Sequence, residues 1–206
     1  MDKEITFTTI DTDILDFLKL SYFGSITNAY EIASKKAYLD MNRTIRFDGM
    51  AKEKRRELRS SVTTLLEKEL RQLTPDKIRS QEDYDQWHQE QCTKIRTLYR
   101  NSGIEFYYGQ SQKGLNMMIK YLYMIGECTF DSLFQYLHIP LDNYVFHAAK
   151  KELRIPKPKV PWSRIDDYEG QYLAYQKELR SKIQDRSPLR WKFQYWMKER
   201  KLHSNN

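Results

Sequence analysis

Apolar residues recur at spacings of three and four along most of the chain, which is the period of amphipathic helices. The first apolar stripe follows a helix start at Asp11-Thr12-Asp13 and consists of Ile14, Leu15, Phe17, Leu18 and Tyr22. The same period predicts helices over residues 25–42 and 52–73. Strand-like alternation does not extend beyond residues 5–10. The pattern therefore predicts an all-α protein.

Helix start and stop signals divide the second half of the chain. The predicted helices cover residues 80–103, 111–125, 129–137, 143–153, 164–184 and 189–202. Ser80 is expected to cap the first of them and Gly103 to end it. Asp142, which follows Pro140 closely, is expected to cap the helix over 143–153. The proline-rich segment 155–161 is expected to be extended and to serve as a brace or a linker.

The length of 206 residues fits one domain with its own core. We expect a single all-α domain over 1–206, in which a central segment, 84–154, is flanked by helices in 1–83 and 155–206. A hydrophobic fraction of 40% excludes a disordered chain. Two cysteines, Cys92 and Cys128, are too few for a disulfide framework, a structural zinc ribbon or a cysteine-ligated iron–sulfur centre.

The chain carries 35 basic and 28 acidic residues, a formal net charge of +7. This excess favours a polyanionic partner. The acidic start Met1-Asp2-Lys3-Glu4 lacks a following apolar run, and the most apolar window, 115–125, is interrupted by Lys120. Neither has the form of a signal peptide or of a membrane span. We therefore expect a cytoplasmic protein that does not bind membranes.

Unusual residue choices concentrate in 107–121 and 138–145. A helix ending near Gly103, a connection centred on Gly109 and a second helix predict a helix–hairpin–helix, whose outward backbone N–H groups suit a phosphate. Lys113 is expected in the first turn of the second helix, where a cation opposes the helix dipole. Asp142, at a helix start after a proline, is expected to hold its carboxylate at the rim of a cleft.

These features resemble the helix–hairpin–helix DNA glycosylase superfamily. In that family the hairpin, a lysine at the start of its second helix and a Pro-x-Asp before another helix form the active site. Gln112-Lys113, followed by Lys120 and by the motif 139–142, is most similar to the archaeal 8-oxoguanine glycosylase branch. The resemblance covers roughly 84–150. The chain departs from the family in having one hairpin glycine, Gly109, and a longer segment before the Pro-x-Asp motif.

The resemblance implies the chemistry of the site. Asp142 would stabilise an oxocarbenium ion at the deoxyribose and would orient or deprotonate the nucleophile. Lys113 would attack C1′ and form a Schiff base that permits strand nicking, or would serve only as a phosphate contact. The expected DNA contacts are Tyr108, Gly109, Gln110, Ser111, Lys150, Lys151, Arg190 and Lys192. The expected base pocket consists of Trp87, Tyr107, Tyr144 and His147.

Two other patterns have both a functional and a purely structural interpretation. His88 and Cys92 have the i, i+4 spacing of a metal pair, but Cys128 and His138 would have to be brought in by the fold. We expect neither a metal nor a cofactor. Residues 186–201 hold six basic residues, one acidic residue and four interleaved aromatics, which suits a nucleic-acid surface or simply an amphipathic helix. A second basic cluster occupies 150–159.

The sequence therefore predicts a DNA base glycosylase, with or without abasic-site lyase activity, acting on duplex DNA or on a single strand. Its substrate would be a damaged base in repair or a modified base in foreign DNA. A non-catalytic nucleic-acid-binding protein and a helical interaction subunit are the alternatives. Salt-dependent DNA binding separates the interaction subunit from the others, and base release that depends on Asp142 separates the enzyme from the binding protein.

Overall fold

The computed structural model describes residues 11–184 and 186–204, without the side chains of 196 and 198–204. Within these residues all regular structure is helical, which confirms the all-α prediction; the strand-like segment 5–10 lies outside them. The α-helices are α1 Thr12–Phe23, α2 Ala29–Leu39, α3 Lys52–Arg71, α4 Gln81–Asn101, α5 Tyr108–Ile125, α6 Asn143–Ala148, α7 Ala174–Lys182 and α8 Pro188–Ser204. No described helix combines the length and apolar character needed to cross a membrane.

Short helical turns connect these helices. The 3₁₀ turns are Asn42–Thr44, Asp131–Gln135 and Trp162–Arg164, and the π-helical turns are Ala149–Leu153 and Tyr168–Leu173. The first π turn extends α6, so the predicted helix over 143–153 is assembled from two kinds of helix. The helix predicted over 164–184 is shorter, because residues 165–167 are not helical and the second π turn leads into α7, which ends at Lys182.

Capping side chains set the helix starts at the predicted places. Ser80 and Asp83 form a reciprocal capping box at the start of α4, in which the Ser80 hydroxyl accepts the Asp83 N–H and the Asp83 carboxylate accepts the Ser80 N–H. At the other end of α4, Gly103 adopts a φ of 79°, which the left-handed stop of a helix requires. Asp142 caps α6 by accepting the Val145 N–H at 2.8 Å.

Helix α5 lies at the centre of the fold. Fourteen of its eighteen residues are buried, and it packs against α2, α4 and the turn Trp162–Arg164. A helix with so little exposed surface must be surrounded by other elements on most sides. Two glycines permit this close packing, because Gly109 lies under the Trp162 backbone and Gly114 lies under the Met41 side chain.

The first apolar stripe is helical, as predicted, but it does not enter the core. In α1 only Phe23 is buried, whereas Ile14, Phe17 and Leu18 are each more than half exposed. The helical period therefore indicated the secondary structure of this segment correctly but not its burial. The core around α5 is filled by other helices.

The predicted boundary of α5 is wrong by one turn. The helix begins at Tyr108 rather than at 111, so Gly109 belongs to its first turn and not to a connection. Lys113 consequently lies in the second turn, where it opposes the helix dipole less than expected. Glycine usually signals a break, but here it allows close packing of a neighbouring backbone.

Candidate functional site

A cavity of about 630 Å³ opens between α5, α6 and α8, with α1 and α2 on its other side. It has the size of a small-molecule site. Its charged lining residues are Asp40, Arg43, Lys113, Lys120, Asp142 and Lys192, and its aromatic ones are Tyr22, Tyr121, Tyr144, Trp162 and Phe193. Cations outnumber carboxylates in this set by four to two, so the cavity favours an anionic ligand.

Lys113 and Asp142, 29 residues apart in the chain, meet at the inner wall of this cavity. The Lys113 Nζ donates to Asp142 Oδ2 at 2.5 Å, and the two side chains are only 6% and 15% exposed. The other oxygen, Oδ1, caps α6. Burial alone would raise the pKa of Asp142, but the charges of Lys113 and Lys192 outweigh it and hold the pKa at about 2. Asp142 is thus a carboxylate at neutral pH.

Two buried glutamines fix the loop that carries Asp142. The Gln112 side chain accepts the Leu141 N–H and donates to the Leu141 carbonyl, both at 3.0 Å. The Gln176 side chain does the same for Ile139, at 3.2 and 2.7 Å. Pro140 lies between the two and has no N–H to satisfy. All four backbone groups that flank it are therefore paired, which positions Asp142 without a regular element.

Two further lysines face the same carboxylate. The Lys192 Nζ, from α8, lies 4.0 Å from Asp142 Oδ2 and 3.7 Å from the Met117 sulfur, and the residue is 5% exposed. Burial, reinforced by the charge of Lys113, holds the pKa of Lys192 well below its usual value. Burial also lowers the pKa of Lys120, to about 8. On the far side of the cavity Asp40 accepts the Tyr121 hydroxyl at 2.6 Å.

Trp162 is a cavity residue that the sequence did not indicate, and Lys192 was predicted to contact DNA but not to line the cavity. Trp162 is buried, and its ring lies 5.9 Å from the Lys113 Nζ. It follows the proline-rich segment and lies outside the predicted helices. No helical period therefore indicates which element it packs against. Lys192 was predicted to be a DNA contact at the surface because the charge of 186–201 is basic. Its placement among aromatic residues was the signal that it is buried.

The connection between α4 and α5 does not present its backbone N–H groups outward as predicted. The Gly109 N–H donates to the Ile165 carbonyl at 2.9 Å, and Gln110 and Ser111 are buried, with the Gln110 amide bound to the Thr44 carbonyl. The start of α5 is covered by the turn at Trp162 and is closed to a phosphate. The prediction that Gly109, Gln110 and Ser111 contact DNA is therefore wrong, and Tyr108 lies beside Tyr168 and Thr93.

Of the predicted base-pocket residues, Tyr144 lines the cavity at its rim and is half exposed. Among the described lining residues, Trp87, Tyr107 and His147 do not appear. Trp87 packs on Tyr84 in α4. The Tyr107 hydroxyl binds Glu105 and Arg164. The prediction that these three residues form the pocket is wrong, because their side chains do not line the cavity.

The predicted basic contacts are divided between the surface and the cavity. Lys150 and Lys151 are exposed on the π turn after α6. Arg190 is exposed on α8, where its guanidinium donates to the Tyr123 hydroxyl at 2.6 Å. Lys192 is buried in the cavity instead of lying at the surface. The remaining basic side chains of this stretch, from 198 onwards, lie outside the described residues.

His88 and Cys92 belong to a buried polar network. His88 bonds the Tyr168 hydroxyl at 2.8 Å and the Asn116 amide oxygen at 3.0 Å, and His138 bonds Asp85 at 2.8 Å. Cys92 packs against the His88 ring. Cys128 lies elsewhere, beside Tyr30. Within the part of the chain that the structure describes, no group of three histidine, cysteine or carboxylate side chains is arranged to hold a metal ion.

Comparisons with protein-family models, with curated proteins and with solved structures find no match to this chain. The geometry of the cavity is therefore the basis on which a function is assigned.

Proposed function

We propose that the protein is a DNA base glycosylase of the helix–hairpin–helix type that cleaves the N-glycosidic bond of a damaged or modified base. The observation that carries the proposal is the buried Lys113–Asp142 pair, at 2.5 Å, on the wall of a cavity large enough for a flipped nucleotide. The consecutive helices α4 and α5 and the capped Pro140–Asp142 loop support the glycosylase-like fold.

Asp142 would act on the sugar. Its Oδ1 is held by the Val145 N–H, so Oδ2 is the oxygen that serves the cavity. Loss of the base builds positive charge at C1′, and a fixed carboxylate stabilises that charge without reorganising. Since the pKa of Asp142 is about 2, this carboxylate is charged at every physiological pH. Lys113 would stay paired with the carboxylate beside the sugar and keep it oriented.

The cationic lining would hold the DNA backbone. Because the start of α5 is closed, phosphate contacts would come from side chains such as Arg43 and Lys120 rather than from hairpin N–H groups. Tyr144, half exposed at the rim, is placed to stack on a base. The substrate would be cytoplasmic DNA, either the host's own damaged DNA or modified foreign DNA.

The test is release of free base from duplex and single-stranded oligonucleotides that carry a panel of oxidised, alkylated and otherwise modified bases. We expect release by the wild-type protein and a loss of at least about 100-fold in Asp142→Asn, because the charge that stabilises the transition state is gone. The control is Asp76→Asn, in the exposed turn after α3, which should release base at the wild-type rate.

Absence of base release from every substrate, with DNA still bound in a salt-dependent manner, would contradict the enzyme and favour a binding protein. Absence of DNA binding at low salt would favour an interaction subunit. Equal base release by wild type and Asp142→Asn would remove the carboxylate from the mechanism.

A further inference from the structure

Three amines surround Asp142 in the cavity, and they differ in the groups that they contact. Lys113 makes a close charge-assisted hydrogen bond to the carboxylate at 2.5 Å. This bond commits the Lys113 Nζ to the carboxylate rather than to the open cavity. An amine that attacks carbon must be neutral, since the attacking electron pair is the one that a proton occupies.

Lys192 has the opposite surroundings. Its Nζ faces the Met117 sulfur, a weak acceptor, and stands 4.0 Å from the carboxylate that Lys113 already occupies. Two other ammonium groups, those of Lys113 and Lys120, act on it electrostatically, and Asp40 and Asp142 are the carboxylates that oppose them. Desolvation and neighbouring cations are the two ways by which a lysine becomes a nucleophile. The shift in the pKa of Lys192 has the direction that this environment requires.

Resting on the proposed function, we propose that Lys192, and not Lys113, is the amine that forms the imine with the deoxyribose during strand cleavage. Lys192 lies on α8 and Asp142 stands at the start of α6, so amine and carboxylate approach the sugar from two elements. Lys113 then serves as the proton donor paired with Asp142.

The chemical step balances with these three residues. The Lys192 electron pair adds to the C1′ aldehyde carbon of the ring-opened, base-free sugar. The C1′ oxygen leaves as water with both amine hydrogens, and a proton from Lys113 converts the C=N group into an iminium ion. Asp142 removes a C2′ proton, the C2′=C3′ bond forms and the C3′–O bond breaks, releasing the 3′ phosphate with the electron pair.

The resting state is restored without a further reactant. The proton passes from Asp142 back to Lys113 through their hydrogen bond. One water hydrolyses the iminium ion and returns neutral Lys192, and the proton set free at this stage balances the second negative charge of the released phosphate. No oxidant or reductant is consumed.

The test uses a duplex with one abasic site, incubated with the full chain and cyanoborohydride at pH 7, which reduces the C=N bond to a stable secondary amine. The covalent adduct is digested and the modified lysine is identified by mass spectrometry. We expect the adduct on Lys192. Lys192→Met, which keeps the length of the side chain and removes the amine, should lower the yield at least about 100-fold. Lys177→Met, at an exposed position of α7, should leave it unchanged.

Each result decides the assignment. An adduct on Lys113 or Lys120, an undiminished yield in Lys192→Met, or no adduct with the wild-type protein would overturn it. Because the mapping is done on the wild-type chain, the result does not depend on whether the variant folds. The proposed function is tested separately by base release without reductant. Released base with no adduct on Lys192 would overturn this inference alone, whereas an adduct on Lys192 without base release from any substrate would contradict only the glycosylase.

Discussion

Individual buried side chains determine the position of the Asp142 carboxylate. Gln112 is fully buried on α5. Its side-chain amide forms hydrogen bonds with the backbone N–H and C=O of Leu141, one residue before Asp142. Its oxygen also accepts from Asn116, which connects the loop to the network around His88. The position of Asp142 is therefore set by amide hydrogen bonds as much as by its ion pair with Lys113.

Gln112→Leu is expected to lower the free energy of unfolding by about 2–6 kcal/mol, because the buried N–H and C=O of Leu141 each lose a partner at about 1–3 kcal/mol. Urea denaturation monitored by circular dichroism measures this change. Gln86→Leu, at an exposed position of α4, is the matched control and should shift stability by less than about 0.5 kcal/mol. Equal stability of the two variants would show that the hydrogen bonds between Gln112 and Leu141 do not stabilise the fold.

At the scale of elements, the contact between α5 and the turn Trp162–Arg164 decides the shape of the site. It covers the start of α5, closes the expected hairpin and brings the Trp162 ring to the cavity. The contact is possible because Gly109 has no side chain. A Cβ atom there would lie 1.7 Å from the Trp162 carbonyl oxygen, which belongs to the backbone and cannot swing aside.

Gly109→Ala is expected to destabilise the fold by about 1–3 kcal/mol or more, the usual result of forcing an extra methyl into a packed site. Gly114→Ala is the matched control on the same helix. There the nearest atoms are the flexible end of Met41, at 3.2 Å, and alanine improves helix propensity by about 1 kcal/mol. Thermal unfolding compares the two variants, and equal melting temperatures would contradict the proposed packing of Gly109.

The sequence predicted where helices begin and end better than it predicted their tertiary contacts. Ser80, Gly103 and Asp142 mark helix ends because capping is local chemistry. The contact of Lys113 with Asp142 followed from a resemblance, not from spacing. The covering of Gly109 and the burial of Lys192 depend on elements more than 50 residues away, and no local pattern carries that information.

At the scale of the whole molecule, the polar network through His88 and His138 ties α4, α5, the loop before Asp142 and the π turn before α7 together. Tyr172 contacts both histidines and also Asn116. Burial lowers the pKa of His88 and of His138 below the ordinary value, so both are neutral in the fold. The interior therefore depends on uncharged imidazoles in addition to apolar packing.

The free energy of unfolding is expected to fall as the pH is lowered from 7.5 to 5. The unfolded chain takes up protons on these histidines near pH 6.5, whereas the folded chain does so only at lower pH, so protons favour unfolding across this window. Urea titrations at several pH values measure the slope. His88→Gln should flatten it, and a slope unchanged by this substitution would exclude His88 as its source.

The two oxygens of the Asp142 carboxylate have different partners, and one of them competes with any anionic ligand for the lysines of the cavity. One oxygen closes a helix and the other neutralises lysines that would otherwise be available to phosphate. Asparagine is as good a helix cap as aspartate but carries no charge. Under the proposed function, we expect Asp142→Asn to retain DNA without cutting it, because asparagine keeps the helix cap, makes the cavity more electropositive and removes the carboxylate that would act on the sugar. Such a variant is the natural bait for recovering the physiological substrate from a mixture.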